Sequence, residues 1–313
     1  MGKQDLSISR LIHPKAGSKV NVAKLNTGYT GKIKTKEDGK RLLKENIEEL
    51  QELQDELYAS DKYSLLLIFQ AMDAAGKDGT IAHVMTGVNP QGCQVFSFKQ
   101  PSAEELDHDF MWRCYKALPE RGRIGIFNRS YYEEVLITRV HPELILKQKL
   151  PGIDTAEDID DKFFEHRYES INDMEKHLTR NGTIILKFFL NVSSETQKKR
   201  FLSRIDDPAK NWKFSAADIK ERDFWSDYMK AYSDMITATN TEYAPWYIIP
   251  ADHKWFMRLA VSNIIVNRLS ELELKFPQLE QKDLDNLNSY RDILLNAKEL
   301  LKDNEDIPQI EIN

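Results

Sequence analysis

The sequence predicts an α/β fold, a parallel sheet of about five strands with helices on both faces. Two observations carry this. Short apolar runs alternate with longer stretches of helical period along most of the 313 residues. Alternation at that spacing builds parallel sheets covered by their crossover helices. The apolar run Leu65-Leu66-Leu67-Ile68-Phe69 also leads into Ala71-Met72-Asp73-Ala74-Ala75-Gly76-Lys77-Asp78-Gly79-Thr80. A short apolar run bounded by a glycine-rich segment reads as a buried strand. Strand, glycine loop with a lysine, then helix is the arrangement of a phosphate cradle. Backbone N–H groups at the helix N-terminus point at the anion, and the lysine adds a point charge. The loop departs from the Walker A pattern G-x-x-x-x-G-K-[ST]. Ala71 stands in the place of the first glycine, and Asp78 in the place of the Ser/Thr. Taken alone, it also fits a tight strand-to-helix turn with a surface lysine.

Residues 1–34 show no clear period and read as an irregular, basic N-terminal arm. Residues 35–60 read as an amphipathic helix, with Leu42, Leu43, Ile47, Leu50, Leu53 and Leu57 near 3.6 spacing. Strands are predicted at 64–70, 94–98, 123–128, 183–190 and 246–249. Helices are predicted at 80–88, 102–118, 130–140, 160–180, 193–205, 215–240, 254–274 and 280–302. Residues 144–158, with Pro151-Gly152, and residues 206–214 read as loops. In a sheet of this kind ligands bind at the carboxyl ends of the strands.

Composition narrows the class. Apolar residues at 41% and charged residues at 30% are those of an ordinary globular protein, and a chain of this length can bury a sizeable core. Cys93 and Cys114 are too few for a disulfide framework or a zinc site. No apolar leader and no stretch of roughly 20 apolar residues is evident, so a cytoplasmic protein without a membrane partner is expected. No nucleic-acid partner is expected either. Residues 1–43 hold ten Lys/Arg against three Asp/Glu, which leaves −13 for the rest of a chain whose total is −6. That basic end either attracts a polyanion or is a solvated leader packed on the domain.

A second chemical cluster is Ile124-Gly125-Ile126-Phe127-Asn128-Arg129-Ser130-Tyr131-Tyr132-Glu133-Glu134. The strand ends in Asn128-Arg129, which are placed to reach the same phosphates as Lys77. Ser130 reads as an N-cap, and Glu133 three residues on completes a capping box. Capping alone accounts equally well for Ser130 and Glu133, and a structural salt bridge is the alternative for Arg129. A third cluster runs from Gln197 to Arg204, followed by Asp206-Asp207-Pro208-Ala209-Lys210-Asn211-Trp212-Lys213-Phe214. Arg200 and Arg204 are i,i+4 and share one helix face. Arginines on a helix that closes over a phosphate cradle neutralise a transferring phosphoryl group. The plainer alternative is a solvated charged face.

Together these pieces resemble the second polyphosphate kinase family, P-loop enzymes that move phosphoryl groups between inorganic polyphosphate and nucleotides. The likeness also takes in Tyr243-Ala244-Pro245-Trp246-Tyr247 and Pro250-Ala251-Asp252-His253-Lys254-Trp255, and covers about residues 20 to 275. Many members carry Asp-Arg-Ser where this chain has Asn128-Arg129-Ser130. The Asn form followed by Tyr-Glu-Glu resembles the branch that accepts both AMP and ADP.

The resemblance implies a P-loop kinase-like three-layer α/β/α sandwich at 35–275, with a helical lid at about 193–225 and a C-terminal helix and tail at 276–313. It implies polyphosphate in a basic channel, with its terminal phosphate at Gly76-Lys77. Asp73 would hold Mg²⁺, and Asn128 would orient a coordinated water or phosphate oxygen. Lys77, Arg129, Arg200 and Arg204 would neutralise the transferring group. AMP or ADP would attack in line to give ADP or ATP, with no protein nucleophile. Phosphate contacts are expected from Ala75, Gly76, Asp78, Gly79 and Thr80 of the loop, and from Lys210 and Lys213. Lys99, Arg113, Arg121 and Arg123 either line the channel or are ordinary surface charges. Glu133 and Arg139 are candidates for the nucleotide end. A homo-oligomer, dimer or tetramer, is implied. The C-terminal helix, with Leu284, Leu287, Tyr290, Ile293 and Leu294, serves an interface or caps the domain. Two other classes are an ATP-dependent nucleoside monophosphate kinase and a non-catalytic P-loop nucleotide-binding module.

Overall fold

Fully apolar strands need cover on both faces, and the computed structural model, which describes residues 12–296, supplies it. Five strands form one parallel sheet: β1 (Ser64–Gln70), β2 (Cys93–Ser97), β3 (Ile124–Asn128), β4 (Thr183–Asn191) and β5 (Trp246–Pro250). Their order is β2-β3-β1-β4-β5. All seven residues of β1 are buried, as are all but the first of β4. The strand order reverses at β1, so its carboxyl end opens into the crevice where such sheets bind ligands. Phe69 is in register with Asn128 on one side and Phe188 on the other, and Ser97 is in register with Asn128. The polar ends of three strands therefore lie along one edge.

The helices of eight or more residues are α1 (Lys36–Ser60), α2 (Lys77–Val84), α3 (Asp161–Arg180), α4 (Ser194–Ile205), α5 (Trp225–Thr239), α6 (Lys254–Ser270) and α7 (Gln281–Asn296). Helix α1 starts on Thr35, whose side chain accepts the Asp38 N–H, and it stops where Asp61 turns left-handed at φ 49°. Its Leu50 and Leu57 are fully buried, each stabilising by about 1.5–3 kcal/mol. Helix α1 packs on α6, α6 packs on α2, and α3 packs on α5.

Three predicted helices are broken. Residues 102–118 form only Ala103–Leu106 and Trp112–Tyr115, because the Asp109 carboxylate takes the Met111 N–H in the turn between them. Residues 130–140 form a 3₁₀ turn at Tyr131–Val135 and a short helix at Ile137–Val140. The Tyr131 and Tyr132 hydroxyls are both tied to Glu175, 2.8 Å away, which fixes that turn. Residues 215–240 break at Glu221–Phe224, where Glu221 is held by Tyr228 at 2.6 Å and by His141 at 3.0 Å. Ser130 caps its turn through the Tyr132 N–H, not through a box closed by Glu133. Helix α2 starts at Lys77, earlier than expected, because Gly76 at φ 108° turns directly into it. The loops 144–158 and 206–214 carry 3₁₀ turns at Pro142–Gln148, Ala156–Asp158 and Asn211–Lys213.

The arm, from residue 12 onward, is irregular apart from a turn at Val22–Lys24, and it packs on the domain. Val20 and Val22 donate backbone N–H groups to Thr237 and Ser233, and Asn240 reaches the Pro14 carbonyl. Residues 1–11 of the arm, and residues 297–302 of the helix predicted at 280–302 with the tail beyond, lie outside the described residues. A second compact unit begins at Phe276. Its helix α7 exposes Leu284, Leu287, Tyr290, Ile293 and Leu294.

Candidate active site

The loop after β1 folds tightly around its own lysine. Gly76 has φ 108° and Ala74 φ 58°, two left-handed residues in one short turn. Lys77 is 9% exposed, and its ammonium donates to the Ala71 carbonyl at 2.9 Å. Burial lowers the Lys77 pKa, and Arg129 adds to this, against the pull of Asp73, Glu133 and Asp78. Thr80 is fully buried and donates its hydroxyl to the Gly76 carbonyl at 3.0 Å, so it shapes the loop.

Beside the loop, β3 delivers Asn128 and Arg129. Arg129 sits at φ 65°, strained for a side chain of its size. Its Nη2 meets Asp73 Oδ1 at 2.8 Å. Burial works against the Arg129 charge, but Glu133 and Asp73 more than offset it and raise its pKa. Glu133 in turn has its pKa raised by burial, against Arg129 and Lys77. Asn128 Nδ2 donates to Asp78 Oδ1 at 2.8 Å, with Ser97 Oγ at 3.5 Å.

Helix α4 closes the other side. Ser193 caps it and also holds Asp252 Oδ1, through its N–H at 2.8 Å and its hydroxyl at 3.0 Å. Gln197 donates to the Asp73 carbonyl at 2.8 Å, and Arg222 donates to the Gln197 side chain. Arg200 spends its guanidinium on four carbonyls: Ala74 and Ala75 of the loop, and Ala251 and Asp252 after β5. It braces the loop against the end of β5. Arg204 behaves differently. Its guanidinium lies 5.4 Å over the Phe201 ring and reaches Asp218 at 3.9 Å and the Lys213 carbonyl at 3.5 Å.

These groups surround a cleft of about 730 Å³ at the carboxyl end of β1. Ten lysines and arginines line it against three aspartates, Asp73, Asp78 and Asp218. Such a lining attracts a highly charged anion. Residues 32–277 of the chain match the family model of Polyphosphate kinase 2 (PPK2). The chain belongs to the polyphosphate kinase 2 family. It is 53% identical over 262 residues to the "ADP-polyphosphate phosphotransferase" of Rhodopseudomonas palustris, covering 84% of this chain and 90% of that one. It is 43% identical over 239 residues to the "AMP/ADP-polyphosphate phosphotransferase" of Meiothermus ruber, covering 76% and 83%. The crystal structure of polyphosphate kinase 2 from Arthrobacter aurescens superposes with a TM-score of 0.82 at 40% identity, covering 92% of this chain and 96% of that one. The protein is a phosphotransferase of this family, with the P-loop kinase-like α/β architecture expected from its sequence.

Within this polyphosphate kinase 2 cleft the structure gathers Asp73, Gly76, Lys77, Asp78, Gly79, Lys99, Asn128, Arg129, Arg200, Arg204, Lys210 and Lys213. It does not bring in four expected cations. Arg113 is buried, donating to the Lys99 carbonyl at 2.7 Å with Phe98 beneath it, so it fixes the segment after β2 that carries Lys99. Arg121 and Arg123 lie at the amino end of the sheet. Arg121 reaches the Asn181 carbonyl, and Arg123 stacks on Tyr58 at 4.6 Å beside the start of β1. Both precede β3, so in a parallel sheet they face away from the loop. Arg139 pairs with Asp161 and lies over Phe164, outside the cleft.

Other lining residues were given no site role from the sequence: Lys199, Lys254 and the 77% exposed Trp212, which stand inside the quoted motifs, and Asp218 and Arg258, which do not. Lys254 and Arg258 are i,i+4 at the start of α6, directly after β5. A pair of cations one turn apart behind a strand end was the available signal.

Proposed function

We propose that this polyphosphate kinase 2 moves the terminal phosphoryl group between inorganic polyphosphate and AMP or ADP, forming ADP or ATP, in a Mg²⁺-dependent in-line transfer. The excess of cations in the cleft carries this reading, because a phosphate polymer is the donor that needs such a lining. Lys77 turns from the Ala71 carbonyl to a phosphate oxygen. Arg129, Arg204, Lys210 and Lys213 balance charge on the transferring group and on the chain behind it. The acceptor phosphate attacks directly, and positioning and electrostatics carry the transfer. The two relatives are named for ADP and for AMP/ADP, in keeping with acceptance of both.

The residues fit a hard cation. Among the described residues, Asp73 has one carboxylate oxygen tied up, by Arg129, and the Asn128 amide oxygen accepts no hydrogen bond. Among the described residues no group of three His, Cys, Asp or Glu gathers into a cage. One carboxylate and one amide oxygen suit Mg²⁺, which is commonly held by one or two protein carboxylates with phosphate oxygens and water. Mg²⁺ bound there supplies positive charge to the phosphate oxygens. No helix among the described residues is long and apolar enough to cross a membrane. The cytoplasmic location and homo-oligomeric state expected from the sequence belong to this same reading.

Donor choice is the test. The purified protein is given polyphosphate with AMP or ADP and no ATP, and separately ATP with AMP and no polyphosphate. Turnover with polyphosphate alone as donor supports the proposal. Turnover confined to ATP as donor makes the protein a nucleoside monophosphate kinase, and no turnover with either donor leaves a binding module.

A further inference from the structure

Three consecutive carbonyls of the phosphate loop are held by one helix. Gln197 donates to the Asp73 carbonyl at 2.8 Å, and Arg200, one turn on along α4, donates to the carbonyls of Ala74 and Ala75. A trans peptide points its C=O and its N–H in opposite directions, so holding a carbonyl aims the next N–H. The Ala74 and Gly76 N–H groups, which follow the held carbonyls of Asp73 and Ala75, have no partner among the described residues. We propose that Gln197 and Arg222 are positioning residues for the phosphoryl transfer: Arg222 closes the neck of the lid on Gln197, and Gln197 sets the Asp73–Ala74 peptide.

Three observations carry it. First, Gln197 is 1% exposed and both ends of its amide are in use. Its N–H meets the Asp73 carbonyl, and its oxygen accepts from Arg222 Nη1. The opposite orientation would set oxygen against oxygen and N–H against N–H, so the two contacts fix each other. Second, Arg222 also donates to the Ser194 carbonyl at 3.3 Å and to the Ser194 hydroxyl at 3.1 Å. All of these acceptors lie on the first turn of α4 and none is charged, so among the described residues no ion pair accounts for an arginine here. Third, Arg222 and Gln197 are 25 positions apart, and Arg204, Lys210, Lys213 and Asp218 of the cleft lie on the segment between them.

The turn that carries Arg222 is itself held from the far side, where Glu221 meets Tyr228 at 2.6 Å and His141 at 3.0 Å. The segment that bears the lid cations and the phosphate loop are thereby fastened at one point. A displacement of about 1 Å in a positioned group costs on the order of 10²-fold in rate. Gln197 therefore bears on kcat without touching substrate.

The inference rests on the proposed phosphoryl transfer at this cleft, and kcat is read in the full chain with whichever of polyphosphate and ATP the wild type uses as donor. Gln197→Glu keeps an acceptor for Arg222 but loses the N–H toward Asp73. Its kcat should fall by about ten- to a hundredfold, with KM for the acceptor nucleotide close to wild type, the pattern of an interaction that counts in the transition state. Its Tm should stay at the wild-type value, because an ion pair keeps the neck closed. Gln197→Met loses both contacts and should lose Tm as well. Arg222→Met should lower kcat by about tenfold, the worth of one charge-assisted contact, and Arg222→Lys by less. In Gln197→Met/Arg222→Met, kcat should fall no further than in Gln197→Met alone, since the two residues act in series. Wild-type kcat in Gln197→Glu, kcat losses that follow Tm across all the variants, or losses that multiply in the double variant would overturn the relay. A wild type inactive with both donors defeats the proposed function and the relay with it, whereas an active wild type beside an equally active Gln197→Glu defeats the relay alone.

Discussion

Arg129 Nη2 lies 2.8 Å from Asp73 Oδ1 and ties the end of β3 to the loop after β1. The two residues are 56 positions apart in sequence and come from neighbouring strands. The pair holds the phosphate loop and a cation in one frame before any substrate arrives.

Arg129→Lys tests that frame. Lysine keeps the charge but not the planar fork. Loss of a charge-assisted contact of about 1.5–3 kcal/mol should lower kcat by roughly 10- to 100-fold. Asp73→Asn should lose activity as well, with partial recovery at high Mg²⁺. Steady-state kinetics across a Mg²⁺ series measures both, and an Asp73→Asn protein with wild-type Mg²⁺ dependence would place the metal elsewhere.

Arg200 and Arg204 share a helix face but should respond differently. Arg200 is bound to four carbonyls. Arg200→Lys leaves several of them unpaired and should cost about 1–3 kcal/mol of stability together with kcat. Arg204 is only loosely engaged, so Arg204→Lys should lower kcat with Tm unchanged. Thermal melts beside kinetics decide; equal Tm losses in the two variants would contradict the distinction.

Glu133 gives a pH signature. Its pKa in the fold is raised by burial. A carboxyl with a raised folded pKa contributes stability below its unfolded value, and loses it as pH rises through the folded value. Glu133→Gln removes that loss. The variant's Tm should therefore exceed wild type at pH 7.5, and the gap should close as the pH falls toward 4.5. A gap that widens at low pH would mean that Arg129 and Lys77 outweigh burial.

The fold is anchored behind the site by Lys187 and Glu175, both fully buried, at 2.6 Å. Lys187 also donates to the Tyr132 hydroxyl and the Thr239 carbonyl. Lys187→Met strands the Glu175 charge and should cost about 3–5 kcal/mol, with the Glu175→Gln double variant recovering part. Urea unfolding reads this directly. No recovery in the double variant would show that the tyrosine hydroxyls, and not the charge, set the cost.

The sheet was legible because most of its strands are short apolar runs, and β1, β3 and β4 end in the polar Gln70, Asn128 and Asn191. The loop was legible because Gly76 and Lys77 follow such a run. The broken helices were not, since the interruptions at Asp109 and Glu221 depend on side-chain partners that helical period does not register. The cleft was half legible. Lys77, Arg129 and Arg204 sit in recognisable motifs. Arg121 and Arg123 read as strand-end cations, but at the amino end of β3, which points away from the loop. Lys254 and Arg258 showed in the sequence only as two cations one turn apart behind a strand end, and their place in the cleft needed the position of α6 relative to that loop, which is a property of the packing.

The most direct test of the whole account is ATP formation from ADP and polyphosphate, with no other phosphoryl donor, by wild type and Lys77→Ala side by side. The wild type should make ATP while the polymer shortens, and the folded Lys77→Ala protein should make almost none. Undiminished ATP formation by Lys77→Ala, or none by the wild type, would contradict the account.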